Sequence, residues 1–286
     1  MNSAALSRKG RRNKIIRRVL MYTFLILLAV IWIVPMYTLF ATALKSKTDF
    51  YSGLSLFQFP AKPAWSNFVK AFTKGRMLKY MSNDLLICCL KVPLGIFVEA
   101  MAAYAITRLN VRHKTGIFIF FLIGMMLPFQ IALVPISIIY NQLNLTNTYF
   151  GLFYVYIGFG ISFGILILRG FFLGIPKDID EAAYIDGANK WQTFIHVILP
   201  VAKPAIVTLL ISDFLSTWNE YLLASVIIND NNYKTVPVGL MTFVGEHGTD
   251  YGYLCAGVLI SVIPVMIVYL VFQKYFVEGM AGAVKS

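Results

Sequence analysis

A chain of 286 residues in which 58% are hydrophobic and only 13% are charged is too apolar for a water-soluble domain. Its formal charge of +12 does not mark a nucleic-acid binder, because the lysines and arginines lie mostly beside apolar runs, where they face an anionic membrane surface. The length suits one bundle of several membrane spans, each needing about 20 apolar residues, with no large soluble domain beside it.

The amino-terminal segment 1–18 carries Arg8, Lys9, Arg11, Arg12, Lys14, Arg17 and Arg18, and an apolar run at 19–44 follows. The run is longer than a signal-peptide core and no small-residue cleavage site closes it, so it reads as a retained first span with the basic segment in the cytoplasm. A polar connection at 45–83, containing Pro60, Pro63 and Trp65, comes next and is expected outside. The remaining core, 84–276, holds apolar runs at about 84–106, 116–140, 149–173, 205–228 and 253–276. Six spans return the carboxyl-terminal segment 277–286 to the cytoplasm, together with 107–115 and 174–204. The distribution of Lys and Arg agrees, except for the external connection, where Lys45, Lys47, Lys62, Lys70, Lys74, Arg76 and Lys79 run against the usual bias. Gly160 and Gly164 stand four apart in the fourth run and offer a face on which another helix packs closely.

Metal and redox chemistry find no support. Cys88 and Cys89 are adjacent, Cys255 is remote, and His113, His196 and His247 fall in separate polar segments without a His-Glu-x-x-His spacing. No Gly-x-x-x-x-Gly-Lys-Ser/Thr phosphate cradle occurs, so this chain is expected to bind no cofactor and to catalyse nothing itself.

The segment 176–204 is a polar, helix-breaking island between apolar spans. Pro176 ends the preceding extension, Asp178 or Asp180 caps a short helix with an acidic first turn, and Gly187 stops it. Pro200 and Pro204 then frame the start of the fifth span. From Glu181 the spacing is Glu181-Ala182-Ala183, three residues, Gly187, nine residues, Val197, one residue, Leu199-Pro200. Small residues keep one side thin, while Glu181 offers a carboxylate and Tyr184, Ile185 and Trp191 offer apolar contact.

This pattern resembles the coupling loop of the membrane subunits of ATP-binding-cassette importers. The likeness extends to Trp218-Asn219-Glu220-Tyr221, to Thr235-Val236-Pro237-Val238-Gly239-Leu240, and to the tail from Tyr275-Phe276-Val277-Glu278-Gly279 to Gly282-Ala283-Val284-Lys285. Together with length and layout, these residues are similar to the binding-protein-dependent sugar permeases, specifically the maltose-type second membrane subunit. Val197 stands where the broad motif prefers isoleucine.

The resemblance implies an all-α membrane protein with a MetI-like type I bundle of six transmembrane helices. It implies a second permease subunit, two ATP-binding subunits carrying ATP and Mg, an extracytoplasmic solute-binding protein and lipid as partners. Glu181, Ala182, Ala183, Asp186, Gly187, Ala188, Leu199 and Pro200 would form the ATPase-coupling element, with Glu181 meeting a basic residue of the ATPase. The tail after Phe276 would reach toward the same subunits.

Lys91, Glu99, Asp213 and Glu220 lie in expected spans, where each charge costs roughly 2.5–3.5 kcal/mol at a helix centre, so they should face the bundle or a wet cavity. By helical rise Lys91 and Glu220 both lie about 11–12 Å from the external end, which suggests an intramembrane pair. Trp218, Asn219, Glu220 and Tyr221 carry groups that grip sugars and are candidates for the solute path, against a reading of simple packing. In the external stretch 229–253, Glu246, His247, Thr249 and Asp250 are candidates for touching the solute-binding protein, or are part of a solvated connection. A polyol or glycerol phosphate importer would share this architecture. A proton-coupled carrier using Glu99, Asp213 and Glu220 would instead favour internal repeats and interrupted helices, of which none is evident by inspection. A non-transporting scaffold would leave the coupling pattern unexplained.

Overall fold

A computed structural model describes residues 3–53, 55–245 and 249–283, with side chains described for 14–53, 55–245 and 249–274. Among them every regular element is helical, as expected of an apolar chain whose backbone must be satisfied internally within lipid. Four helices are long and apolar enough to cross a membrane: Lys14–Ala43 within α1 (Ser3–Ala43), α4 (Met77–Arg108), α7 (Tyr149–Gly174) and Tyr251–Lys274 within α14 (Tyr251–Ala283). Two bent pairs raise the count to six if each makes one crossing. The all-α, six-span expectation holds on that count.

Three interruptions depart from the expected runs. The third run breaks after α5 (Lys114–Met126), where Leu127 turns extended before Pro128, and resumes through a 3-10 turn (Phe129–Ala132) into α6 (Leu133–Gln142) at 81°. Proline lacks a backbone N–H and disfavours helix at the residue before it, which accounts for the break. The fifth run starts with Lys190–Val201 and bends by 76° into α11 (Lys203–Trp218). It ends at Trp218 rather than near 228, and a separate helix α12 (Leu222–Ile227) follows. Glu220 therefore sits at a helix break instead of inside a continuous span. The polar connection after the first helix is also shorter than expected, since α4 begins at Met77.

The chain divides into two compact units. One comprises Met1–Ala71 and Val244–Leu259. Its α1 buries nothing along the most apolar window, so a helix apolar on all sides presents its surface to lipid or protein outside this chain. Below it the connection is tightly held. The Asn67 amide, on α3 (Ser66–Thr73), donates to the carbonyls of Ala43 and Lys45 at 2.9 and 2.8 Å, and buried Lys45 donates Nζ to the Ser55 carbonyl at 2.7 Å. The short helix α2 (Lys47–Tyr51) opens on a capping box. There the Ser46 hydroxyl donates to Asp49 Oδ2 at 2.6 Å, and its backbone N–H adds a second bond. These two bonds, the hydroxyl first, hold the Asp49 carboxyl below its usual value. Tyr51 donates its hydroxyl to the Thr249 carbonyl, and Phe50 stacks on Tyr251 at 4.4 Å.

The other unit comprises Phe72–Phe243 and Ile260–Ser286. Its centre is the pairing of α4 with α7, joined by α11 and flanked by α5. Ile87, Leu152, Val155, Tyr156, Leu223 and Ile227 form an apolar cluster that α12 and α13 (Val236–Leu240) close off. Asn83 locks the segment before α13 in place, its amide donating to the carbonyls of Asn232 and Lys234 at 2.9 Å.

Candidate functional site

The helix α8 (Asp178–Ile185) has Asp178, Asp180 and Glu181 in its first turn, where a helix dipole favours negative charge. Its N-cap is Lys177 without a side-chain bond, so neither Asp178 nor Asp180 is the cap, both lying inside the helix. Gly187 follows with φ +85°, a conformation that L side chains rarely adopt, and nothing crowds its Cβ position. The chain turns there and restarts at α9 (Lys190–Thr193) on a capping box between Asn189 and Gln192. A π turn (Phe194–Ile198) and α10 (Leu199–Val201) lead into α11. Helix, glycine turn, helix and span occur in the expected order.

One side of this element is buried and the other is bare. Ala183 points inward at 7% exposure, whereas Glu181, Ala182, Asp186 and Gly187 are exposed, Ala188 and Leu199 are intermediate, and Ile185 is 85% exposed. An isoleucine that open on a short helix is a knob without a socket in this chain.

Arg108, the last residue of α4, fixes the element to the bundle and was not singled out from sequence. Its Nη1 meets Asp180 Oδ2 at 2.8 Å, and its Nη2 donates to the carbonyls of Phe172 and Ile175 at the end of α7, the latter at 2.6 Å. One guanidinium thus joins α4, α7 and α8. Tyr104 adds a hydroxyl bond to the Lys190 carbonyl at 3.2 Å and packs its ring on Phe194 at 5.0 Å. Beside the clamp lies a cleft of about 310 Å³ lined by Arg108, Lys114, Lys177, Asp180, Glu181 and Tyr184.

The intramembrane charges form a second constellation. Lys91 Nζ is bonded to Asp213 Oδ1, and not to Glu220. The expected Lys91–Glu220 pair assumed an unbroken fifth span, and the end of α11 at Trp218 removes that premise. Glu220 instead accepts the Tyr156 hydroxyl at 2.8 Å and the backbone N–H groups of Leu223 and Ala224 at 2.8 and 3.0 Å, satisfying the start of α12. Glu99 lies about two turns further along α4 from Lys91, at 2% exposure, with Oε2 unpartnered. Gly160 and Gly164 make room for these side chains: a Cβ on Gly160 would lie 3.2 Å from Lys91 Nζ, and one on Gly164 1.9 Å from Glu99 Oε2.

Because the Lys91–Asp213 pair is desolvated, removing one partner leaves a lone charge and should cost about 3–5 kcal/mol, while removing both should cost far less. Lys91→Leu is therefore expected to lower membrane levels and melting temperature, and Lys91→Leu combined with Asp213→Leu to recover most of the loss. A double variant as unstable as the single one would contradict this.

Of the remaining candidates, Trp218 is 2% exposed, stacks on Phe214 and donates Nε1 to the Ser261 carbonyl, so it packs rather than lines a path. Asn219 is exposed and binds back to the Leu215 carbonyl, and Tyr221 is 38% exposed. Only Glu220 of these four lines the adjoining cavity. Asp250 Oδ1 accepts the Tyr253 N–H at the start of α14 and Thr249 holds Tyr51, whereas Glu246 and His247 lie outside the described residues. Among the described residues no cluster of His, Cys, Asp and Glu is suited to a metal ion.

A bundle of bent and straight membrane helices with a bare helix–glycine–helix knob clamped to it defines a polytopic permease-like protein. The family described as the binding-protein-dependent transport system inner membrane component matches residues 91–282, and the chain belongs to that family. It is 36% identical to the probable ABC transporter permease protein YurM of Bacillus subtilis, across 97% of this chain and 92% of that protein. It is 33% identical to the trehalose/maltose transport system permease protein MalG of Thermococcus litoralis, across 96% and 99%. A crystal structure of a bacterial ABC transporter involved in the import of the acidic polysaccharide alginate has the same fold, with TM-score 0.74 and 24% identity over 94% of this chain and 98% of that one. The methionine transporter MetNI, in an inward-facing crystal form, shares the fold more distantly, with TM-score 0.57 and 15% identity over 71% and 95%.

Proposed function

We propose that this chain is a permease subunit of an ATP-driven importer of carbohydrate, delivered by an extracytoplasmic binding protein, in a prokaryotic cytoplasmic membrane. The observation that carries the reading is the bare α8 knob clamped by Arg108 to the ends of α4 and α7 in a member of this transport family. The carbohydrate assignment rests on relatives named for sugars: trehalose/maltose, and starch degradation products in Thermoanaerobacterium thermosulfurigenes, a permease 32% identical to this chain.

In this reading a second permease subunit completes the pathway, and two separate ATP-binding subunits bind ATP and Mg and hydrolyse the nucleotide. Both termini and α8 face the cytoplasm. Glu181 meets a basic residue of the ATPase and Ile185 enters its groove. Closure of the ATPase pair pushes α8; Arg108 passes the push to α4 and α7, and the bundle exchanges access from one side to the other. Thr249 and Asp250 face the binding protein.

The test is uptake of labelled maltose and trehalose by vesicles holding the assembled complex. Gly187→Val forces a β-branched residue into a left-handed conformation, and Glu181→Arg reverses the docking charge. Each is expected to lower uptake at least about tenfold, the equivalent of roughly 1.4 kcal/mol, with the chain still inserted. Undiminished uptake in both would overturn the coupling role. Uptake by this chain alone, driven by a proton gradient, would favour the carrier alternative.

A further inference from the structure

A cavity of about 260 Å³ opens between α7 and α11 and is lined by residues from both helices, from α4 and from two helix breaks. Phe129 comes from the 3-10 turn after the Leu127–Pro128 break, and Glu220 from the break between α11 and α12. Irregular backbone at membrane depth persists only where protein buries it or where it lines a wet cavity, and discontinuous helices commonly frame solute sites. Two independent helix breaks thus converge on one cavity.

The lining is divided by chemistry. Phe159 and Phe163 expose 41% and 42% of their surface, and Phe129 meets Phe159 edge-on at 6.0 Å, which gives an aromatic wall. The same cavity is lined by Ser212, Ser216 and Thr217, the Ser216 hydroxyl donating to the Ser212 carbonyl, and by the carboxylates of Asp213 and Glu220. Asp213 Oδ2 is buried and unpartnered, although its other oxygen holds Lys91. Lys91, the cation of the cavity, is already neutralised by that bond. Acceptors and hydroxyls beside aromatic rings, with the lysine spent, suit an uncharged polyhydroxylated ring whose C–H face lies on phenylalanine and whose hydroxyls donate to carboxylate. They do not suit a phosphorylated solute. The volume is just under the roughly 300 Å³ lower end of small-molecule sites, which is room for one sugar ring and not for a chain of them.

We infer that this cavity, lined by Phe159, Phe163, Asp213 and Glu220, holds one neutral sugar ring during passage, so that this chain itself contacts the solute. The inference rests on the carbohydrate reading above and adds that the site lies in this subunit.

The experiment measures binding of labelled maltose and trehalose to the purified assembled complex, held in its ATP-bound state by a hydrolysis-deficient ATPase partner, with no binding protein present. Parallel uptake assays use the wild-type complex. Phe159→Leu keeps apolar bulk but removes the ring, and should weaken binding about tenfold, the equivalent of roughly 1.4 kcal/mol. Phe159→Tyr keeps the ring and should stay within about threefold of wild type. Ser216→Trp should fill the cavity and abolish binding, while Ile167→Ala, on α7 away from the cavity, should leave it unchanged. Equal losses for Phe159→Leu and Phe159→Tyr would mean packing and overturn the site. So would full binding in Ser216→Trp, or a wild-type complex that transports either sugar yet retains none in this state. A wild-type complex that neither transports nor binds either sugar would overturn the carbohydrate reading itself.

Discussion

Replacing Arg108 by alanine should disconnect ATP hydrolysis from transport in the assembled complex. The Arg108 side chain is 6% exposed and its guanidinium serves three acceptors at once, Asp180 on α8 and the carbonyls of Phe172 and Ile175 at the end of α7. Its loss strands a buried carboxylate and two carbonyls, and breaking a buried pair in this way typically costs about 3–5 kcal/mol. That is enough to free α8 from the bundle without unfolding helices held by the α4–α7 contact. In vesicles, sugar uptake should fall about 100-fold or more while the chain remains inserted. ATP hydrolysis should persist at its basal rate and no longer respond to the binding protein.

Two companion variants separate the clamp from a general loss of stability. Arg108→Lys keeps the charge and one bond but lacks the planar fork, so it should show an intermediate defect. Asp180→Asn preserves an acceptor for Arg108 and leaves the two carbonyl bonds intact, so uptake should fall only a few-fold. Stimulated hydrolysis and uptake surviving in Arg108→Ala would show that the α8–α9 segment is held by Tyr104 and the Trp191–Phe194 aromatic contacts instead.

The contrast between Gly187 and Arg108 shows what the sequence makes legible. Gly187 announces a turn through local chemistry, because a glycine after an acidic, alanine-bearing helix reads as a left-handed stop, and φ +85° bears that out. Arg108 gives no such signal. It reads as one more basic residue near a helix end, and its partners lie 64 to 72 residues further along the chain. The same limit governs the intramembrane charges. Their burial in the bundle follows from the cost of a bare charge in lipid, but choosing Lys91's partner required depth, and depth by helical rise assumes a straight helix. The adjacent polar pair Asn219 and Glu220 was the available sign of the break after Trp218. Pro128 was the sign of the other, masked by the unbroken apolar stretch on both sides.

Gly164 provides the second large effect, and its cause is visible at atomic scale. A Cβ there would stand 1.9 Å from Glu99 Oε2, 2.1 Å from Cδ and 2.7 Å from Cγ, so nearly the whole end of a buried side chain must move. Overpacking of this kind costs about 1–3 kcal/mol even for one methyl group, and Gly164→Ala should lower the melting temperature of the purified complex and its level in membranes. The obstacle is a side chain, so Glu99→Ala in the same chain should restore both, since it removes an unpartnered buried oxygen along with the clash. Gly160→Ala should be milder, because its Cβ would meet only the terminal Nζ of Lys91, at 3.2 Å, and Gly158→Ala nearly silent, with nothing within 4 Å. Gly151→Ala marks the opposite limit. Its Cβ would lie 2.2 Å from the Leu145 backbone carbonyl, which no side-chain truncation removes. A graded series of 158, 160, 164 and 151, with rescue by Glu99→Ala confined to 164, follows from α7 packing against a charged side chain. If Glu99→Ala rescued none of them, or all of them alike, the close approach of α4 and α7 would not be set by Glu99.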